Sequence, residues 1–552
     1  MSTSEPKMAH VNLMVDTVIA NMPSEGLRAV LRSMLAADPS VTSLFEERTR
    51  NYLEKTKSTV RSENLFAADG NGFKATENFG AMQQRIRTML GCGLCYESIP
   101  LLTSILGQAS HLPLPSTSSK DLLHALSTID GDIVQALTAV QKLLLTPAGT
   151  RSPSQEEKSI LQSLFNAIAQ CYESWNATTR NFIFERSVAA LAPESLGLDI
   201  SSIDLSAESG QQLSVLTVPP LASHIETFKL SNMVLPRLFS GLWQLSSPSW
   251  GTASPLQMRE QFSTYASSGF TAYDMADHYG DAEVMFGKFR ASCSNPDSLF
   301  GATKYCVFTP ISITAGVVAS NISQRCARMS ANKIDLLQLH WHLYSDPQYL
   351  AVLKYLHEDS RVHNLGLCNF DTEHMQIVLD AGIKIYTNQV QFSVIDSRPT
   401  FKMSEICTKH DVKLLTYGTL CGGFIAEKWL NKPEPELFST DITPSQRKYY
   451  EMILNWGGWA LFQQLLQVLK QIARKHHVSI SNVATRWVLD FDYVGAVIVG
   501  TRMGVSAHAE ENLKSYGWKL DKADQAAIQE LLNRSKRDQL IGLLGDCGGE
   551  YR

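Results

Sequence analysis

Four residues stand where a proton could be moved to or from an oxygen: Asp274, Tyr279, Lys304 and His340. A tyrosine, with an ordinary pKa of about 10, is a weak acid. A neighbouring ammonium stabilises the phenolate and makes proton transfer easier. Lys304 is the candidate neighbour, and Asp274 would balance it, because an unpaired ammonium taken out of water tends to lose its proton. His340 can hydrogen-bond a carbonyl oxygen. The chemistry open to such a set is carbonyl reduction by a nicotinamide, which needs a proton donor for the forming alkoxide, a group to orient the carbonyl and a clamp for the dihydropyridine face. Singly, each residue has a plainer reading: Asp274 as a strand-end turn residue, and His340, like its neighbour His342, as a core histidine. Only the group argues for chemistry.

The elements that must position this group are legible as short β-rich runs alternating with helical stretches. In order they are RLFSGLWQL, FTAYD, LFGATKY, IDLLQLHW, VHNLGLCNF, KIYTNQVQFSV, VKLLTYGTL and VGAVIVGTR. Eight runs separated mostly by helix-sized intervals predict a (β/α)8 barrel, whose site lies at the C-terminal ends of its strands. The polar residues fall at or just past those ends: Asp274 and Tyr279, Lys304, His340, Asn369, Gln389, Tyr417, then Thr501 and Arg502. One shared site is expected.

YDMADHY, ATKY, LLQLHW, LGLCNF, TNQVQ, LLTYGTL and VIVGTRMGVSAHAEENL resemble the serial motifs of the aldo-keto reductase superfamily. The resemblance covers the C-terminal part of the chain and none of the first 200 residues. It implies a catalytic tetrad of Asp274, Tyr279, Lys304 and His340, nicotinamide-amide contacts at Asn369 and Gln389, and a ring-stacking aromatic at Tyr417. It places the adenosine-phosphate region on Gly500 to Asn512, with Thr501 in its loop, Arg502 toward the 2'-phosphate, and Glu511 and Asn512 toward the adenine. Cys368 stands where many members have serine beside the amide-binding asparagine, and a thiol is the weaker donor. Gly418 follows the stacking tyrosine where a serine is frequent. His508 takes the approximate place of a basic residue near the 2'-phosphate, so a preference for NADPH over NADH rests mainly on Arg502. No metal is implied, and no GxGxxG fingerprint is expected, because such barrels hold the dinucleotide on their loops.

Trp243 and Trp341 lie where members of that superfamily line the carbonyl pocket. The excursion from Cys421 to Ser479 adds Tyr449, Tyr450, Trp456 and Trp459, which read equally as an apolar lid or as helix packing. The expected substrate is a hydrophobic or aromatic carbonyl compound.

The first 195 residues have apolar side chains at helical spacing, as in LRAVLRSMLAADP and DLLHALSTIDGDIVQALTAVQKLLL, and predict an all-helical domain. Residues 196–222 read as a linker, 223–540 as the barrel and 541–552 as a C-terminal tail. Cys92 and Cys95 form a CxxC with no second pair or nearby histidines, so buried thiols are expected rather than a zinc site. The helical domain shows no convergent polar cluster and is expected to serve interaction or self-association. With a formal net charge of -5 and no basic stripe, nucleic acid is an unexpected partner. No apolar run reaches spanning length and no signal-type core opens the chain, so a soluble, cytoplasmic protein without a membrane partner is expected, with reduced thiols and unused sequons at Asn176 and Asn321. Two functions fit: a reductase of aldehydes or ketones, or a cofactor-retaining regulatory protein that senses redox state with little turnover.

Overall fold

The computed structural model describes the chain except residues 1–12, 58–61, 71, 114–119, 147–148, 176–181, 193–195, 204–214, 247–249, 252, 309 and 440–441, so Asn176 and much of the expected linker lie outside the described residues. The N-terminal region is helical: α1 (Leu13–Asn21), α2 (Ser24–Ala37), α3 (Thr42–Lys55), α4 (Glu77–Gly91), α5 (Cys95–Ala109), α6 (Lys120–Leu143), α7 (Gln155–Trp175) and α8 (Glu185–Leu191). Two small hairpins interrupt it, β1 (Phe66–Asp69) with β2 (Gly72–Ala75), and β3 (Leu145–Thr146) with β4 (Gly149–Thr150). Helix α6 is its axis. Leu122, Leu126, Ile129, Ile133, Leu137 and Val140 recur at three- and four-residue steps, and all are buried in a core that α6 shares with α4, α5 and α8. This core is a cluster separate from that of the barrel. Cys92 caps α4 and Cys95 opens α5, so the CxxC is a helix junction with both thiols buried and free.

The barrel follows. A hairpin of β5 (Thr227–Leu230) and β6 (Met233–Pro236) closes its floor, where the Phe228 ring lies against the backbone of Gly495. Eight parallel strands then pair in chain order and close: β7 (Leu238–Gly241), β8 (Ala272–Asp274), β9 (Phe300–Val307), β10 (Ile334–Trp341), β11 (Val362–Cys368), β12 (Thr387–Gln391), β13 (Lys413–Tyr417) and β14 (Val494–Gly500). The helices between and after them are α9 (Pro255–Ser267), α10 (Ala282–Ala291), α11 (Ala315–Arg328), α12 (Gln348–Glu358), α13 (Thr372–Asp380), α14 (Lys402–His410), α15 (Pro444–Trp456), α16 (Gly458–His476), α17 (Ile480–Leu489), α18 (Ala509–Leu513), α19 (Lys522–Arg534) and α20 (Arg537–Leu544). The strands read as nearly continuous apolar runs because both their faces are buried. Phe239, Phe300, Leu336, Leu415 and Ile498 fill the lower interior, leaving the polar inward positions to the upper, C-terminal end. Among the described residues, no helix is long and apolar enough to cross a membrane.

The helical region docks beside the barrel's upper rim. Arg186 of α8 makes a two-pronged ion pair with Asp281, each bond 2.7 Å and both side chains buried. Asp281 stands two residues after Tyr279, at the N-terminus of α10. Buried Asp130 of α6 accepts from the backbone and hydroxyl of Ser187, and burial pushes its carboxyl up to about 7. Glu185 pairs with Lys288 at 3.1 Å, and Thr150 accepts from Gln324 of α11.

Arg186→Ala should cost about 3–5 kcal/mol, because it strands the Asp281 carboxylate in a buried site. Replacing both partners by apolar residues, Arg186→Met with Asp281→Leu, should recover most of that loss in urea denaturation of the full chain. A single variant within about 0.5 kcal/mol of the parent would show that the pair is not the clasp described here.

Candidate active site

The strand ends bring the sequence-predicted tetrad together. Asp274 closes β8, and three backbone hydrogen bonds fix the loop that carries Tyr279: Met275 N–H to Ala302 O of β9, Tyr279 N–H to Ala276 O, and Ala282 N–H to Tyr279 O. Lys304 points inward from β9 and is 2% exposed. Its ammonium donates to Asp274 Oδ2 and to Met275 O, both at 2.7 Å, and lies 3.5 Å from the Tyr279 hydroxyl. The other Asp274 oxygen accepts from Gln389 Nε2 at 2.7 Å and Gln338 Nε2 at 3.3 Å. The carboxylate is thus tied to β9, β10 and β12 at once.

Burial alone would discharge Lys304, but Asp274 and Tyr279 more than offset it and hold its pKa above the ordinary value. The phenol of Tyr279 behaves differently from the sequence expectation. Lys304 does pull it down, yet burial outweighs that pull and the Asp274 charge adds to the rise, so its net shift is upward. Tyr279 therefore holds its proton through the neutral range, as a donor must. His340, from β10, is pushed down to about 3 by burial and by Arg552, His278 and Lys304, and so is a neutral imidazole. Its ring meets Phe308 and Tyr551 edge-on, at 5.3 and 5.5 Å.

The predicted cofactor residues fall in two groups. Cys368 ends β11 and Asn369 follows it, Gln389 lies in β12 and Tyr417 ends β13, all beside the tetrad. Tyr417 donates to Asn369 Oδ1 at 2.9 Å, Asn369 takes a left-handed φ of 57°, and Cys368 Sγ lies 4.0 Å from Gln389 Oε1. The second group, Gly500, Thr501, Arg502, His508, Glu511 and Asn512, follows β14 around the rim. Thr501 donates its N–H to Gly241 O, and Arg502 with Gln244 and Trp250 faces Gly131, Val134 and Gln135 of α6 across a narrow cavity. His508 is exposed with its N–H on Tyr265, while Glu511 pairs with Lys514 at 2.8 Å and Asn512 N–H bonds His508 O.

One of the two expected substrate-wall residues is turned away from the site. Trp243 is 40% exposed near the rim, its ring 5.1 Å from that of Trp250. Trp341 does not join the site. It follows inward-facing His340, and successive strand side chains point to opposite faces, so its indole turns outward and donates to Leu343 O and Asp346 O. Tyr449, Tyr450, Trp456 and Trp459 are all buried in α15 and α16, which settles the aromatic run as helix packing. That packing explains Gly418: at φ 72°, an added Cβ would collide with the Tyr449 hydroxyl.

Two kinds of residue at this face are not marked as such in the sequence reading. Gln338 stands two before His340, so strand parity carried a signal for it. The segment expected as a tail carried none. Asp546 accepts from Thr372 N–H, buried Arg398 donates to Asp546 O and Glu550, and the backbone of Gly548 lies against that of Asn369. This seats Tyr551, whose hydroxyl is 3.0 Å from that of Tyr417 and takes a hydrogen bond from Lys448 at 3.1 Å. Arg552 donates to Asn369 O and the Tyr344 hydroxyl, with its guanidinium 4.2 Å over the Tyr344 ring.

Residues 237–533, just over half of the chain, match the sequence model of the Aldo/keto reductase family. Flagellar radial spoke protein 5 of Chlamydomonas reinhardtii is 32% identical over 177 residues, 28% of this chain, and the match spans about a third (33%) of that relative's length. Pyridoxal reductase of Arabidopsis thaliana chloroplasts is 24% identical over 53% of this chain and 81% of its own. Methylglyoxal reductase DkgA of Yersinia pestis is 22% identical over 54% and 89%. A solved glycerol dehydrogenase of Gluconobacter oxydans aligns with 56% of this chain and 95% of its own, at 21% identity and a TM-score of 0.47.

Gly418→Ala should destabilise the protein by about 1–3 kcal/mol through overpacking and strain at positive φ. Tyr449→Phe in the same chain should reduce the loss, measured by thermal denaturation. An unchanged melting temperature in the single variant would contradict the packing described.

Proposed function

Because the chain belongs to the aldo/keto reductase family, we propose that it is an NADP(H)-dependent oxidoreductase that reduces an aldehyde or ketone to an alcohol, with Tyr279 as the general acid. The observation that carries this reading is the buried Asp274–Lys304 pair, with its ammonium 3.5 Å from the Tyr279 hydroxyl and His340 on the same face. The donor chemistry also fits the cofactor: the amides of Asn369 and Gln389 match a carboxamide, the Tyr417 ring offers an aromatic shelf, and Arg502 brings a guanidinium to the rim cavity. When bound, the nicotinamide supplies a hydride.

The protein's own part is electrostatic and geometric. Neutral His340 donates an N–H to the carbonyl oxygen and fixes its direction. As negative charge grows on that oxygen, the Tyr279 proton crosses to it, and the phenolate left behind is stabilised by Lys304, which Asp274 keeps charged and in place. Gln338 and Gln389 hold Asp274 and so act as positioning residues. Relatives named as reductases of pyridoxal, methylglyoxal and glyoxal support an aldehyde as substrate, and one named as NADH-specific leaves NADH open as an alternative cofactor. The rings of Phe308 and Tyr551 against His340 support a hydrophobic one.

A second reading, a cofactor-retaining regulatory protein with little turnover, is favoured by the seat of Tyr551 and Arg552 against Tyr417 and Asn369. The match to a radial spoke protein and the exposed apolar residues Val30, Leu31, Met34, Leu44 and Phe45 of α2 and α3 support a protein partner or self-association through the helical region.

The discriminating experiment is NADPH binding by fluorescence, with NADPH oxidation on methylglyoxal, pyridoxal and aromatic aldehydes, for the parent chain, Tyr279→Phe and Tyr551→Ala. The reductase predicts parent turnover that falls about a hundredfold or more in Tyr279→Phe with binding kept. The regulatory reading predicts tight binding with slow turnover that Tyr551→Ala accelerates. Absence of NADPH and NADH binding in all three proteins overturns both.

A further inference from the structure

Asp277 and His278, the two residues before Tyr279, face Cys306 of β9. One donor atom from each, a carboxylate oxygen, an imidazole nitrogen and the thiol sulfur, all lie within 4.8 Å of one another. The arrangement is not a loose surface grouping. Asp277 Oδ2 accepts from the backbone N–H of Cys306 at 3.0 Å and from buried Arg325 at 3.3 Å, which leaves Oδ1 beside His278 Nδ1 at 3.1 Å. Asp277 and Cys306 also line an open cleft between the β9 end, α11 and the β3–β4 hairpin, so the cluster has an entry path.

We propose that Asp277, His278 and Cys306 form a binding site for a zinc-like divalent cation, with three protein donors and a fourth position open to the cleft. The donor set of one nitrogen, one sulfur and one oxygen selects a borderline-soft transition metal over magnesium or calcium, which take oxygen ligands. Zinc bonds of about 2.0–2.3 Å set donor atoms roughly 3–4 Å apart, so the cluster must draw in only slightly. His278 is on the partly exposed side and supplies that freedom. A ligating carboxylate normally has its second oxygen hydrogen-bonded, as Asp277 has through Arg325 and Cys306 N–H. Burial works against the Asp277 charge, but His278, Arg325 and Cys306 N–H hold its carboxyl down to about 2. Burial and Asp277 push the Cys306 thiol up, and Lys304 pulls it back. Binding therefore breaks the S–H bond, forms a sulfur–metal bond and releases one proton to solvent. The charged or titratable groups facing this site are Lys142 from α6, Arg325 from α11, Lys304 and Tyr305 from β9, His340 from β10, Cys368 from β11 and Tyr279 beside His278, besides the ligands themselves. Because the His278 ring touches that of Tyr279 edge-on at 4.8 Å, a bound cation would sit one side chain from the proposed acid. The site stands on its own geometry and not on the reductase reading.

The test is titration of the metal-free full chain with Co2+, followed by absorption, with Zn2+ as competitor. The expected result is one equivalent bound with a near-ultraviolet thiolate-to-cobalt band that Zn2+ abolishes, and a proton release of one per metal at neutral pH. Cys306→Ser should lose the band, and His278→Gln should weaken binding by about tenfold or more, whereas Cys326→Ser, a separate thiol on α11, should leave both unchanged. Two independent ligand variants guard against one failing to fold. No thiolate band in the parent chain, or a band that survives Cys306→Ser, overturns the proposal.

Discussion

A single ion pair in the dry upper end of the barrel, Lys304 with Asp274, constrains nearly everything around it. An ammonium so deeply buried stays charged only beside a carboxylate, and a carboxylate so deeply buried needs both oxygens satisfied. Gln389 and Gln338 meet that need on one oxygen, Lys304 on the other. These partners come from four strands, β8, β9, β10 and β12, so the network exists only when the barrel is closed in register. The apolar layers below it, Phe239, Phe300, Leu336 and Leu415, exclude water and leave polar side chains nowhere to go but the upper rim.

That same pair fixes the electrical character of the site. Tyr279 is raised by burial despite Lys304, and His340 is depressed, so the face holds a protonated phenol, a neutral imidazole and a fixed ammonium at neutral pH. The loop carrying Tyr279 is anchored from outside as well. Asp281, at its end, is clasped by Arg186 of the helical region, while Asp277, at its middle, is held by Arg325 and the Cys306 backbone. The helical region thus touches the loop that presents the acid and lines the cavity that presents Arg502. A change in how it docks would reach the site through these two contacts.

Much of this was legible because the fold writes it locally. Strand ends in a barrel are marked by polar residues after apolar runs, so Asp274, Lys304, His340, Asn369, Gln389 and Tyr417 could be found from order and placement, and the structure does gather them. Side-chain parity is the finer signal: it turns Trp341 away from the site and brings Gln338 in. Long-range facts left no local mark. Nothing in the pattern of residues 541–552 announces that Arg398 will tie Asp546 and Glu550 down and so place Tyr551 beside Tyr417. Nor does the spacing of Asp277, His278 and Cys306 resemble a metal motif, since β8 and β9 make them neighbours only when paired. The aromatic residues of α15 and α16 were ambiguous because lids and helix cores use the same side chains.

The central claim is that Lys304, held by Asp274, makes Tyr279 an effective acid. The most direct test is single-turnover NADPH oxidation by Lys304→Met with methylglyoxal, alongside NADPH binding and a cooperative melt to confirm folding. The account predicts binding close to that of the parent chain and a hydride-transfer rate lower by about a hundredfold or more. A folded Lys304→Met protein that transfers hydride at the parent rate would contradict it.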